Sequence, residues 1–320
     1  MNGFLTRIFA YPFGYVIGLL YNLFGQNYLL AIIFFAVVIK LALLPTGISQ
    51  QKNQVKTKRM QAKIQKIREK YGDDQKKIQE ETAALYQKEG MSTMTSGCGS
   101  LLIQLPIIFG LYGAIYNPLT YVLRLNKGTV AELTSAVGKL LNTTGGSKTN
   151  VLEIAVLQNV DKLHDILPNI NQNVFATISD FAAHFKAFGY NFGTIPKDVW
   201  RNDKMIIIVP IVAFASSMLT SIYSLIRAKK MDESKANMAS MGCMMLFMPL
   251  MSLWLAWQFP VGIGIYWAVN GLLGFVQMVV LNMIYTPEKV IAKMMLDETI
   301  TRREKEVSFK NQYNYLNEKN

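Results

Sequence analysis

Lys40 stands inside the apolar run YLLAIIFFAVVIKLALL, residues 28–44, and a cation there is the first side chain in this sequence with chemistry to offer. A lysine at the centre of a bilayer costs about 2.5–3.5 kcal/mol on insertion scales, less when its stem carries the ammonium to the interface. Lys40 is eight residues short of Ile48, roughly 12 Å from the polar end of its helix. Three other apolar stretches carry polar groups at comparable depth. Gln104 lies seven residues from Gly97, roughly 10 Å in. Ser217, Thr220, Ser221 and Ser224 recur at i, i+3, i+4, i+7, one hydroxyl face of a helix. Asn270 and Gln277 share a face of a further helix, with Trp267 one turn above Asn270. The opposite halves of these stretches, 29–35, 107–115 and 206–214, are nearly pure hydrocarbon.

Such groups bind and solvate; they do not make bonds. An ammonium attracts acidic groups, and amides and hydroxyls solvate a passing backbone. Intramembrane hydroxyls and amides also hold helices together, and for any one of these residues that reading stands beside the other. Helix glue predicts polar groups scattered in depth, whereas these gather at one end around a cation, so a wet cavity open to one side explains the set better. No Asp or Glu falls inside a span, which weakens ion-coupled transport. Neither a P-loop nor a Ser–His pair nor paired intramembrane carboxylates point to an enzyme. Cys98 and Cys243 are too few for a thiolate cage, and His164 and His184 lack ligand spacing, so no metal or cofactor is expected.

The elements that must position these groups follow from composition. Of 320 residues, 51% are hydrophobic and 17% charged, against about 25% charged in a soluble domain. The apolar residues come in blocks, which excludes a soluble enzyme and a disordered chain together. The fold class expected is all-α, a polytopic membrane protein with five spans at 28–48, 97–124, 204–226, 241–258 and 259–285. Pro45 closes the apolar core of the first, and Gln258-Phe259-Pro260-Val261 turns the fourth into the fifth. Residues 1–27 read as an interfacial amphipathic helix, with a further span or signal anchor as the alternative. Residues 49–96 read as a cytoplasmic helical hairpin: Met60, Ile64, Ile67 and Tyr71 form one stripe, Gly72-Asp73-Asp74 the turn, and Ile78, Thr82, Leu85 and Glu89 the return. Residues 125–203 form a helical extracytoplasmic insert, periodic over 130–141, 151–166 and 172–188 and broken at 142–147 and Pro168. A cytoplasmic loop, 227–240, and a cytoplasmic tail, 286–320, complete the chain; the tail is nearly neutral and reads as a frayed helix.

Charge sets the orientation. The formal net charge is +12, and Lys and Arg number eleven in residues 49–90, four in 227–237 and seven in 285–320. The other face, residues 1–27 and 124–204, holds ten in a longer stretch. The basic side is cytoplasmic, so the N-terminus is outside and the C-terminus inside.

The stretches AIIFFAVVIKLALLP, QQKNQVKTKRMQAKIQKIREKYGDD, ALYQKEG, GCGSLLIQLPIIFGLYGAIYNPL and MPLMSLWLAWQFPVGIGIYWAVNGLLGFVQ resemble, in order, the YidC/Oxa/Alb membrane protein insertases. The resemblance implies five core spans around a hydrophilic groove open to cytoplasm and lipid. It places the family's intramembrane cation on Lys40, where many members have arginine, its groove glutamine on Gln104 and its tryptophan on Trp267. Partners implied are nascent membrane proteins and the lipid bilayer, with the ribosome and the Sec translocon left open; nucleic-acid recognition is not expected. Lysine keeps the charge but loses the forked hydrogen bonding of arginine. The helical insert after the second span, in place of an earlier β-sandwich, resembles Gram-positive, clostridial-type members. The alternatives are a channel or carrier for an anionic small molecule, which should show internal repeats that this sequence lacks, and a structural assembly factor.

Overall fold

A computed structural model describes residues 4–72, 74–88, 99–141, 151–230 and 235–318. Cys98, Asp73, the break at 142–147 and the end of the hairpin segment at 89–96 lie outside the described residues. The chain is all-α apart from a two-residue antiparallel pair, β1 (Lys186–Ala187) with β2 (Tyr190–Asn191). It divides into two compact units, Met1–Ala42 with Ser100–Val276, and Leu43–Gly99 with Gln277–Asn320.

The first unit opens with α1 (Phe4–Leu23) and α2 (Tyr28–Ala42). Gly25 and Gln26, both at φ 62°, reverse the chain between them, and the Asn27 side chain accepts from the Leu30 amide at 3.0 Å to start α2. Phe13 meets Phe35 edge-on at 5.3 Å, so α1 packs along α2. Gly14 and Gly18 bring the α1 backbone onto Tyr121 and Val122, where a Cβ would stand 2.6 Å and 2.8 Å from backbone oxygens. Those residues follow α5 (Gly99–Tyr116) and belong to or cap the short α6 (Pro118–Tyr121).

The insert folds as α7 (Lys127–Leu140), α8 (Leu152–Gln158), α9 (Val160–Ile166), α10 (Gln172–His184), the β pair and α11 (Pro196–Val199). Its core is aromatic, and it includes Tyr21 of α1 and Tyr28 of α2. Tyr28 lies 5.6, 4.7 and 4.9 Å from the Phe181, Phe185 and Phe192 ring centres, and Tyr21 lies 5.2 Å from Phe181. Each such ring buries about 150–250 Å², so the insert is held to α1 and α2 chiefly by removal of apolar surface from water. Two further ties are polar. The Val261 and Gly262 amides donate to Thr194 and Phe192 carbonyls at 2.8 and 3.0 Å. Buried Glu153 accepts from the Thr120 amide at 3.0 Å and from its hydroxyl at 2.6 Å. Burial lifts the Glu153 carboxyl to about 7, against the hydrogen bonds from Thr120 and Leu119 that pull it down.

A 3-10 turn (Lys204–Ile207) leads into α12 (Ile208–Lys230), followed by α13 (Lys235–Gln258) and α14 (Val261–Ile284). Among the described residues, Lys204–Arg227 and Val261–Ile284 are each long and apolar enough to cross a membrane. Tyr28–Ala42 with Leu44–Asn53 passes the same test as a pair broken at Leu43, and Ile8–Leu23, Gln104–Tyr116 and Leu246–Gln258 are shorter apolar helices.

The second unit contains α3 (Leu44–Tyr71), α4 (Gln75–Lys88), the end of α14 and α15 (Pro287–Glu318). Pro45 lies in the first turn of α3 rather than closing a helix; a residue without an amide hydrogen loses nothing there, since that amide has no intrahelical acceptor. Gly72, at φ 54°, ends α3, and the Tyr71 hydroxyl donates to Glu81 of α4 at 3.1 Å. Met60 and Ile78 are buried. The tail is one helix, α15, with Thr286 at its N-terminus and Arg302 paired with Glu306 at 3.0 Å across one turn.

Candidate functional site

Within the first unit, two of the sequence-derived site residues, Lys40 and Gln104, approach α14, which itself carries Trp267 and Asn270. Its glycines make this possible, because an absent Cβ lets a neighbouring side chain approach the helix backbone. At Gly274 that neighbour is Lys40, whose Nζ lies 3.3 Å from where a Cβ would stand. At Gly271 it is the Ser216 hydroxyl of α12, with which a methyl group would collide, and at Gly264 it is Val209. Lys40 is half-buried near the end of α2, and among the described residues no carboxylate pairs with it.

Gln104 of α5 faces α14 higher up, beside Tyr266. Its Nε2 and the Tyr266 hydroxyl are both buried and lie near each other, and neither makes a well-formed hydrogen bond to a described residue. A buried polar atom without a full hydrogen bond costs about 1–3 kcal/mol in an apolar setting. Tyr266 and Gly274 are eight residues apart, so Gln104 and Lys40 are separated by roughly 12 Å along α14. Asn270 lies midway between them on α14 and is half-buried. Trp267 is buried, 6.3 Å from the Phe259 ring.

The hydroxyl face of α12 divides. Ser217 reaches the Ala213 carbonyl and the Ser252 hydroxyl of α13, each at 3.1 Å, and so links two helices. Ser224 donates to the Thr220 carbonyl at 2.9 Å, and Ser221 is half-buried one turn from Ser217. Gln277 belongs to the second unit, where its amide nitrogen fills the space a side chain on Gly47 would need.

Five polar groups escaped the sequence reading. Ser216 is buried and donates to Ala213 at 2.8 Å; its i+4 spacing to Thr220 was a visible signal. Ser252 and Tyr266 gave none, because a lone hydroxyl in an apolar helix has no pattern. In the second unit Gln51 donates to Asn282, and both are buried. Gln51 falls in a segment whose composition reads as soluble, which hides a buried amide.

Among known proteins, the model of the family described as 60Kd inner membrane protein matches residues 19–289, a range that contains every candidate site residue. The chain belongs to that family. Over 118 residues it is 38% identical to membrane protein insertase YidC 2 of Bacillus anthracis, 36% of this chain and 46% of the relative. Membrane protein insertase MisCA of Bacillus subtilis is 40% identical over 116 residues, 35% of this chain and 44% of the relative. A second YidC 2, from Listeria innocua, is 38% identical over 118 residues, 36% of this chain and 41% of the relative. The match thus spans less than half the length of each. The family YidC/Oxa/Alb is one of membrane proteins rather than enzymes, and the apolar helices of this chain fit it.

Proposed function

We propose that this protein is a membrane protein insertase. Five spans, formed by α2 with the start of α3, then α5, α12, α13 and α14, enclose a hydrophilic groove open to cytoplasm and lipid, and the insert faces outward. The observation that carries the proposal is the half-buried ammonium of Lys40 against Gly274, with no carboxylate paired to it among the described residues. Tyr28, in the insert's aromatic core, is twelve residues earlier on α2, so the amine lies roughly 18 Å away from the outer cap.

A client with a short polar terminus or loop must move acidic and peptide groups through hydrocarbon, at several kcal/mol for each unsatisfied group. In the groove Lys40 offers a transient counter-charge. Gln104, Asn270 and the α12 hydroxyls Ser217, Thr220, Ser221 and Ser224 solvate the backbone for about half the thickness, and Trp267 lines the wall. The client's apolar segment slides out sideways into lipid, and its partitioning drives the reaction without nucleotide.

The test is reconstitution into vesicles with a single-span client whose translocated segment is acidic. Lys40→Arg should insert it as the unaltered protein does, and Lys40→Ala should lower insertion roughly tenfold, the factor that about 1.4 kcal/mol supplies. Equal insertion by all three removes the role of Lys40. Client-independent anion flux without insertion would instead identify a carrier.

A further inference from the structure

Three of the four tryptophans, Trp200, Trp254 and Trp257, gather where the insert rejoins the membrane helices. The Trp200 and Trp257 ring centres are 5.9 Å apart, and the Arg201 guanidinium lies 5.9 Å from the Trp200 ring centre. Lys197 donates to Gln258, at the end of α13, at 3.2 Å. Lys204 is exposed at the start of the 3-10 turn. Among the described residues none of these three cations forms an ion pair. Two acids share the stretch. Asp203 is engaged, accepting from the Tyr190 hydroxyl at 2.6 Å and the Met205 amide at 3.0 Å. The Tyr190 hydrogen bond holds its carboxyl below the usual range. Asp198 remains exposed. Arg201 and Lys204 are therefore open, Lys197 is held only by a neutral amide, and one carboxylate of the stretch is exposed.

Directly below them the surface turns apolar. On α13, Trp254 is 60% exposed and continues into Leu250 and Phe247, one column at helical spacing. On the other helix, Met205 is 69% exposed and continues into Ile208 and Ile211. Indoles place their ring in hydrocarbon and their N–H among headgroups, and basic side chains at that level attract anionic lipid.

We propose that Lys197, Arg201 and Lys204, set above the Trp200–Trp257 pair, form a docking surface for anionic phospholipid headgroups in the leaflet beneath the insert. A soluble acidic peptide would satisfy the charges only. A phospholipid brings phosphate and acyl chains joined in the order this surface presents cations and exposed hydrocarbon. The site requires α12 to cross the bilayer and makes no use of Lys40, so its fate and that of the groove are separable.

The test uses the full chain in nanodiscs of phosphatidylcholine, with tryptophan fluorescence as the readout. A minor fraction of either phosphatidylglycerol or phosphatidylcholine carries bromines on its acyl chains. Brominated phosphatidylglycerol should quench as though enriched at the tryptophans by roughly fivefold or more, the factor one basic residue near an anionic surface is worth. Arg201→Gln with Lys204→Gln should bring both lipids to equal quenching, with helical content and client insertion unchanged. Equal quenching in the unaltered protein overturns the proposal, as does an enrichment that survives neutralising all three cations. So does an acidic peptide that binds in pure phosphatidylcholine through Arg201 and Lys204 while phosphatidylglycerol shows no enrichment; the surface then serves a protein partner.

Discussion

At Gly274 the limiting dimension is the 3.3 Å between the Lys40 ammonium and the place of an added side chain. Gly274→Val fills that space and must push the ammonium aside. Client insertion by Gly274→Val should fall to the level of Lys40→Ala while the melting temperature in detergent changes little, because a lysine head is free to swing. Gly271→Leu is different in kind, since there the neighbours are a short buried serine and its backbone. That overpacking should cost about 1–3 kcal/mol and show as a lower melting temperature before any loss of insertion. Lys40 and Gln104 were legible in the sequence because charge and amide at membrane depth are rare. Their partners on α14 were not, since a glycine announces permissiveness and not what approaches it.

At the scale of elements, Glu153 ties α8 to α6, and its folded carboxyl titrates at about 7 against 4.5 for the free side chain. A raised folded value means the folded state holds its proton more tightly. The resulting stability is complete below about 4.5 and is lost as the pH rises through about 7. Protection factors of amides in α6 and α8, exchange rates normalised to the unstructured chain at each pH, should therefore fall between pH 5 and pH 8, and Glu153→Gln should flatten that profile. Ser217 and Ser252 link α12 to α13, and a double-mutant cycle between them should give about 0.6 kcal/mol. Apolar spacing over 130–141 falls on α7, whereas that over 172–188 overruns α10, which ends at His184 before Lys186–Ala187 pairs as a strand. Pro45 misled because a proline signals a helix boundary without saying whether it ends one helix or begins the next. The tail forms a long helix despite its polarity, with an N-terminal cap and pairing across turns that a composition count does not register.

At the scale of the molecule, the uneven Lys and Arg distribution argues one orientation. With Cys98 and Cys243 replaced by serine, Phe188→Cys, at a site 74% exposed on the insert, should react with an impermeant maleimide on intact cells. Ala84→Cys, exposed on α4, should react only after permeabilisation. The reverse pattern would invert the topology. Membership of a membrane class was legible because apolar blocks need no partner to be recognised. The aromatic knot was not, for Tyr21 and Tyr28 meet Phe181, Phe185 and Phe192 only after more than half the polypeptide has been made. During synthesis Tyr28, at the start of α2, thus precedes its ring partners by roughly 150 residues. A nascent copy is thereby left for a time with the same need that its mature form would relieve in others: a half-finished apolar segment that wants a sheltered place beside the bilayer.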